Sequence, residues 1–178
     1  MMTLSHGRAI AMAIIGPHSD LLGACMSVGS EWFTEFYEPG GSAFGLKVKA
    51  KLHEEQSAYQ RIEIYDTETF GHLMVIDGCV MLSQRDNFLY HEMMAHPALF
   101  THAAPRRVVV IGGGDCGTLR EVLRHDIVQQ AMQVEIDERV TRLAERYFPE
   151  LCESNADRAK IVHGLVHHVG IATPGSLG

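Results

Sequence analysis

Apolar and polar residues alternate along Gly45-Leu-Lys-Val-Lys-Ala-Lys-Leu52, the period of a half-exposed strand. The alternation returns over Tyr59–Asp66 and again, after the turn Thr67-Glu-Thr-Phe70-Gly71, over His72–Asp77. Gly78 turns the chain once more into Cys79-Val-Met-Leu82, so the pattern predicts a small antiparallel meander of hairpins. The period then lengthens. Phe88, Leu89, Met93, Ala95 and Leu99 predict a helix over 86–100, with Pro97 marking a kink or an early end. His102–Arg106 links this helix to Val108-Val-Val-Ile111, a run of β-branched residues that predicts a buried strand. Three glycines follow, and from Thr118 the pattern is helical. Met132–Asp137 predicts a second strand. Val140, Leu143, Ala144 and Tyr147 form the stripe of an amphipathic helix over 138–148, closed by Pro149. Ile161-Val-His163 predicts a short third strand.

Hairpins followed by alternating strands and helices place the chain in the α/β class. The expected architecture is a small N-terminal antiparallel β-domain over 30–84, then the first half of a Rossmann-like parallel sheet with helices over 85–163. Residues 1–29 are expected to be a poorly ordered leader. Their apolar run Ala9–Ile15 is broken by Gly16-Pro17 and is too short to span a membrane. From Gly164 to Gly178 neither period persists, and this stretch is expected to be an aberrant tail.

The candidate chemistry lies between the first two parallel strands. Gly112, Gly113, Gly114 and Gly117 allow close approach of a ligand to the backbone, and the helix that follows presents unpaired N–H groups. Glu135, at the end of the next strand, is placed to accept hydrogen bonds from a ribose diol. The spacing Gly112-x-Gly114-x-x-Gly117 serves both dinucleotide sites and S-adenosylmethionine sites. Asp115 separates them, because a carboxylate in this turn repels a pyrophosphate and suits a cationic group. The inferred ligand carries a nucleoside and a positive charge. Asp115 acting only as a cap for the following helix is the alternative.

Composition narrows the classes. A formal net charge of −7 argues against general nucleic-acid binding and is compatible with a cationic substrate. The four cysteines, Cys25, Cys79, Cys116 and Cys152, form no C-x-x-C pair, which points to a reduced cytoplasmic protein without a zinc ribbon. His91 and His96 lie five apart, roughly 140° around a helix, and so cannot share one metal. His163, His167 and His168 fall at or beyond the end of the last strand and read as casual histidines. No Ser-His-Asp arrangement is suggested.

A set of ordered motifs resembles the polyamine aminopropyltransferases, the spermidine synthase family. They are Tyr59-Gln60, Phe70-Gly71, Ile76-Asp77-Gly78, Arg85-Asp86, Tyr90-His91-Glu92-Met93, Gly112-Gly113-Gly114-Asp115, Leu119-Arg120-Glu121-Val122 and Glu135-Ile136-Asp137. The resemblance implies transfer of an aminopropyl group from decarboxylated S-adenosylmethionine to putrescine or a similar amine, giving spermidine and 5′-methylthioadenosine. It implies no metal, no cofactor beyond that co-substrate, no nucleic-acid or membrane partner, and a homo-oligomer, dimer or tetramer. It places Gln60 against the nucleoside or its aminopropyl chain, Tyr90 and His91 along the amine channel, Asp115 on an amine and Glu135 on the ribose hydroxyls.

Three departures from the family pattern stand out. Cys116 replaces a common glycine and is expected to be a harmless turn residue if its φ is negative. Met81 replaces a glutamine found in some members, removing a polar contact that bears on amine preference. After the third strand the family's Asp-Gly pair and its later Asp-x-x-Asp-Pro segment, which supplies the proton-accepting carboxylate, are missing from this sequence. The expectation is a shifted reading frame near His163, a truncated chain without its catalytic base, and marginal stability. Two other functions stay open: an S-adenosylmethionine-dependent methyltransferase, and a non-catalytic remnant that binds nucleoside or dimerises.

Overall fold

The structure is a computed structural model that describes residues 2–3, 9–13, 31–152 and 159–164. It divides into two compact units, one of residues 17–87 and one of residues 1–16 with 88–178.

The first unit is a five-stranded antiparallel sheet in which sequential strands pair: β3 (Trp32–Tyr37), β4 (Ser42–Gln56), β5 (Arg61–Thr67), β6 (His72–Ile76) and β7 (Cys79–Ser83). The meander expected from the alternating pattern is therefore present, with one strand more than the pattern marked. Trp32–Tyr37 pairs along β4, with Phe33 opposite Leu46, and its period is masked by aromatic residues on both faces. Phe33, Leu46, Leu73 and Val75 form the buried core, with Val48, Tyr65, Phe70 and Val80 against it. The β6–β7 connection is a two-residue turn, Asp77-Gly78, whose φ values of 49° and 81° are those a hairpin matched to the strand twist requires. Asp77 also fastens the start of β5, since its Oδ1 accepts the Arg61 N–H at 2.8 Å.

The second unit contains β1 (Met2–Thr3), β2 (Ala9–Ala13), α1 (Asn87–Thr101, its first residue counted with the other unit), β8 (Arg107–Ile111), α2 (Gly117–Leu123), β9 (Gln130–Glu135), α3 (Glu138–Tyr147), α4 (Pro149–Cys152) and β10 (Ala159–His163). Its sheet has the order β1-β2-β8-β9-β10. β2, β8, β9 and β10 run parallel, and β1 is antiparallel to β2. The three parallel strands expected from sequence are all present. The expected leader is corrected in part: Ala9–Ala13 is a strand, hydrogen-bonded in register along β8. The open edge of a strand calls for a backbone partner, and an apolar five-residue segment supplies one. Residues 14–30 lie outside the described residues, as do residues 165–178 of the expected tail.

Two expectations for α1 also change. The helix runs through Pro97 to Thr101. The carbonyl that Pro97 leaves without an i+4 donor belongs to Met93, which is 70% exposed and open to water. The buried face is His91, Ala95 and Leu99, spaced i, i+4, i+8, while Phe88, Leu89 and Met93 face outward. Ala95 and Leu99 pack with Val108, Val110, Leu119, Val122, Leu123, Val128 and Ala131 into one apolar core beneath the glycine-rich turn. Each large apolar side chain so buried contributes about 1.5–3 kcal/mol.

Candidate functional site

The site is assembled where β8 gives way to α2, beside the end of β9. Gly112 and Gly113 have φ of 81° and 72°, a left-handed pair that glycine adopts without penalty. The turn they make carries the Gly112 N–H to the Val134 carbonyl, 2.8 Å away. It also brings the Gly114 N–H to Glu135 Oε2, again at 2.8 Å. A Cβ on Gly114 would stand 2.9 Å from Glu135 Cγ and Oε2, so only glycine lets the carboxylate lie this close to the backbone.

Glu135 is thus fixed at both oxygens. Its Oε1 accepts the Asp137 N–H at 3.0 Å. Burial pushes its carboxyl above the usual carboxylate range, and the N–H groups of Asp137, Gly114 and Ile136 oppose that shift. The sequence places Glu135 at the strand end beyond the loop, and the structure brings it into the loop itself. Asp137 follows as the cap of α3, its carboxylate accepting the Arg139 N–H at 3.0 Å.

Asp115 takes up the capping contact that the sequence left as an alternative from one residue before the N-cap, Cys116: its Oδ1 accepts the Gly117 N–H at 2.7 Å. His91 Nε2 stands 3.2 Å from the same oxygen. Its other oxygen, Oδ2, has no hydrogen-bond partner among the described residues, and the side chain is 15% exposed. Capping and an open carboxylate oxygen therefore coexist. Tyr90 lies alongside; burial and the Asp115 charge push its hydroxyl above the ordinary tyrosine value.

His91 packs beneath the glycine turn. It is 1% exposed and lies against the start of α2, with Nδ1 buried and without a hydrogen-bond partner among the described residues. A Cβ on Gly117 would come closer than 3.0 Å to Cε1, Nδ1 and Nε2 of this ring. The third glycine of the spacing is thus demanded by a histidine, which in turn braces Asp115 from behind. Gln60 belongs to the other unit, in the Ser57–Gln60 turn that leads into β5, where its N–H donates to Ser57 Oγ at 3.1 Å.

Cys116 corrects a specific expectation. Its φ is +69°, the left-handed region, so a side chain stands where the family's glycine would be unstrained. The residue is 2% exposed, and Gln133 Nε2 lies 3.7 Å from its sulfur. Sequence reading also missed Cys152. The four-residue helix α4 carries its sulfur to 3.9 Å from the Asp115 carbonyl, and nothing in the linear pattern marks that return.

His96 turns away from His91, as the five-residue spacing requires. Its Nδ1 lies 2.9 Å from His125 Nε2, and its Nε2 lies 3.5 Å from Glu121 Oε2. Glu92, His96 and Glu121 bring ligand-type atoms within 4.8 Å of one another. Arg124 answers both carboxylates, at 2.8 Å from Glu121 and 3.9 Å from Glu92, and Arg120 adds a contact at 3.0 Å. Guanidinium groups already supply the counter-charge, which makes this an ion-pair network joining α1 to α2. No helix among the described residues is long and apolar enough to cross a membrane.

The spermidine synthase tetramerisation domain matches residues 31–84, and the spermine/spermidine synthase domain matches residues 87–169. The polyamine aminopropyltransferase of Methylococcus capsulatus is 68% identical over 138 residues, 77% of this chain and 48% of that protein. The polyamine aminopropyltransferase of Nitrosococcus oceani is 71% identical over 126 residues, 71% of this chain and 44% of that protein. Among solved structures, the spermidine synthase of Thermotoga maritima superposes with a TM-score of 0.72 at 36% identity, over 83% of this chain and 53% of that one. A spermidine synthase in complex with the transition state analogue AdoDATO gives a TM-score of 0.71 at 36% identity, over 82% of this chain and 50% of that one. The chain spans about half the length of the curated relatives it matches. An antiparallel β-domain followed by a parallel sheet, matched across both parts, makes this chain a member of the spermidine synthase (polyamine aminopropyltransferase) family.

Proposed function

We propose that this chain forms the nucleoside- and amine-binding part of a polyamine aminopropyltransferase, which moves an aminopropyl group from decarboxylated S-adenosylmethionine to putrescine. The observation that carries the reading is the pair of carboxylates on one glycine turn. Glu135 is held against Gly114, and Asp115, engaged through Oδ1, has Oδ2 without a hydrogen-bond partner among the described residues. A sulfonium nucleoside with a primary amine needs both a diol acceptor and an ammonium acceptor, whereas a dinucleotide shares the diol but puts a pyrophosphate where the Asp115 carboxylate stands. The sulfonium makes its neighbouring methylene electrophilic, and a neutral amine attacks it in line, so the protein has to position both partners and accept one proton.

On this reading Glu135 accepts the ribose hydroxyls, Asp115 Oδ2 accepts an ammonium, and Tyr90 contacts the substrate chain. His91 fixes Asp115 from behind. Gly112, Gly113, Gly114 and Gly117 keep the turn bare enough for the nucleoside. No metal or further cofactor takes part. The Asp-x-x-Asp-Pro segment that supplies the proton acceptor in the family does not occur in these 178 residues, so binding is proposed for this chain and turnover for the full length of its relatives. Family membership favours aminopropyl transfer over methyl transfer.

Exposed Trp32, Tyr37, Phe44 and Tyr59 on the β-domain, together with its match to a tetramerisation domain, support a homo-oligomer built through that unit. A cytoplasmic location accords with unpaired thiols.

Calorimetric titration of this chain with 5′-methylthioadenosine tests the reading. Saturable binding lost in Glu135→Gln is expected, with no spermidine formed from decarboxylated S-adenosylmethionine and putrescine. Absence of nucleoside binding by folded protein overturns it.

A further inference from the structure

One edge of β8 is held by a segment far from it in sequence. In a doubly wound sheet the first four strands lie in the order third, second, first, fourth, and β10, β9 and β8 take the places of the third, second and first. The fourth place, beside β8, is filled by Ala9–Ala13. This segment runs parallel to β8 and pairs along its whole length, from Ala9 opposite Arg107 to Ala13 opposite Ile111. We propose that the β8 edge is a binding site for a parallel, apolar peptide strand, that Ala9–Ala13 is its resident occupant within the same chain, and that a fourth sheet strand pairs there only by displacing it.

The fit is one of composition and backbone. A strand inside a parallel sheet is covered on both faces and reads as a continuous apolar run. Ala9-Ile-Ala-Met-Ala-Ile-Ile15 is such a run, with none of the charges or prolines that blunt a true edge strand. The pairing is not the by-product of a tight turn, because residues 14–106, the whole antiparallel sheet among them, lie between the two strands. The ladder itself holds the segment, and an equivalent strand from outside meets the same groups.

The hydrogen-bonding sides follow from the glycine turn. The Gly112 N–H donates to the Val134 carbonyl of β9. Successive N–H groups of an extended strand point to opposite neighbours, so Val108 and Val110 also donate toward β9, whereas Val109 and Ile111 donate toward Ala9–Ala13. The same register turns the N–H groups of Ile10 and Met12 toward β8. Ala13 stands opposite Ile111, the residue before Gly112, and doubly wound sheets bind ligands at the carboxyl ends of the strands where the order reverses. Exchange of the occupant therefore takes place beside the turn that carries Asp115.

Residue-resolved amide exchange of the full chain tests this without nucleoside or amine. In Ile10→Pro/Met12→Pro, which removes both donors from the ladder, exchange at Val109 and Ile111 is expected to quicken at least about tenfold. Val108, Val110 and Gly112 keep their rates and report an intact β8–β9 pair. A peptide of residues 7–15 added to this variant restores slow exchange at Val109 and Ile111 saturably, and a peptide of the reversed sequence does not. In wild type, excess of the same peptide quickens exchange at Ile10 and Met12, which it releases, and leaves Val109 and Ile111 slow. Ile10 and Met12 rates that ignore the peptide, equal rates at Val109 and Ile111 in wild type and variant, or wild-type protection that disappears on dilution, as a strand from a second copy would give, each overturn the proposal.

Discussion

Replacing Gly117 with alanine separates two physical effects of opposite sign. Gly117 is the first residue of α2, where helix propensity alone favours alanine by up to about 1 kcal/mol. The imidazole of His91 occupies the space that a Cβ would need, with three ring atoms closer than 3.0 Å and ordinary contact beginning near 3.4 Å. His91 is almost wholly buried, so the ring has to retreat by about 1 Å against packed neighbours, an overpacking cost of about 1–3 kcal/mol. The steric term wins, and Gly117→Ala is expected to destabilise by about 1–2 kcal/mol. That loss moves the melting temperature down by roughly 2–8 °C for a chain of this size.

Urea unfolding of four proteins tests the cause: wild type, Gly117→Ala, His91→Ala and the double variant. If the ring is what excludes the Cβ, the alanine penalty disappears in the His91→Ala background, giving a coupling energy of about 1.5 kcal/mol or more. A Gly117→Ala variant as stable as wild type, or an equal penalty in both backgrounds, refutes the claim that this glycine serves His91.

Three further outcomes follow from the same loop. At position 116, where φ is +69°, Cys116→Gly is expected to be about 1 kcal/mol more stable than Cys116→Ala in urea unfolding, inverting the usual order; equal stability contradicts the strain. Asp115→Asn retains an oxygen for the Gly117 N–H but loses the charge, so calorimetry should show at least about tenfold weaker binding of decarboxylated S-adenosylmethionine with the neutral 5′-methylthioadenosine little changed. The folded state raises the Glu135 carboxyl above its unfolded value, so the contribution of this group to stability is fully present below the unfolded value and is lost as pH rises through the folded one. The stability difference between wild type and Glu135→Gln, followed by urea unfolding from pH 4 upward, should therefore shift against wild type as pH rises; a pH-independent difference refutes it.

What was legible in the sequence is what rests on periodicity and on glycine. Alternation marked β4 through β7, a β-branched run marked β8, and the acidic strand end marked β9. The glycine spacing marked the turn, and the acidic strand end marked Glu135. The handedness of the Cys116 backbone was not legible, since no local pattern distinguishes a turn cysteine at positive φ from one at negative φ. Nor was the phase of α1. Its apolar residues outnumber one helical face, and only the core shows that His91, Ala95 and Leu99 point inward while Met93 points out. Cys152 stayed hidden because α4 is a single turn whose position depends on where α3 ends. The strand at Ala9–Ala13 was overlooked because its register is set by the edge of β8, far along the chain.

Asp115 shows why a capping role and a binding role need not compete. A carboxylate has four lone-pair directions; Oδ1 accepts the Gly117 N–H and lies 3.2 Å from His91 Nε2, leaving Oδ2 unpartnered among the described residues. A cap restricts side-chain rotation, so an ammonium arriving at the open oxygen meets a group already held in place, and less conformational entropy is lost on binding. His91 extends this economy by one layer, because its ring leans on the bare backbone of Gly117 while its Nε2 braces Asp115. Glycine 117, His91 and Asp115 thus form one mechanical unit. A substitution at the glycine should reach the carboxylate through the ring, and amine binding should weaken in Gly117→Ala even though no atom of Gly117 side chain exists to touch the ligand.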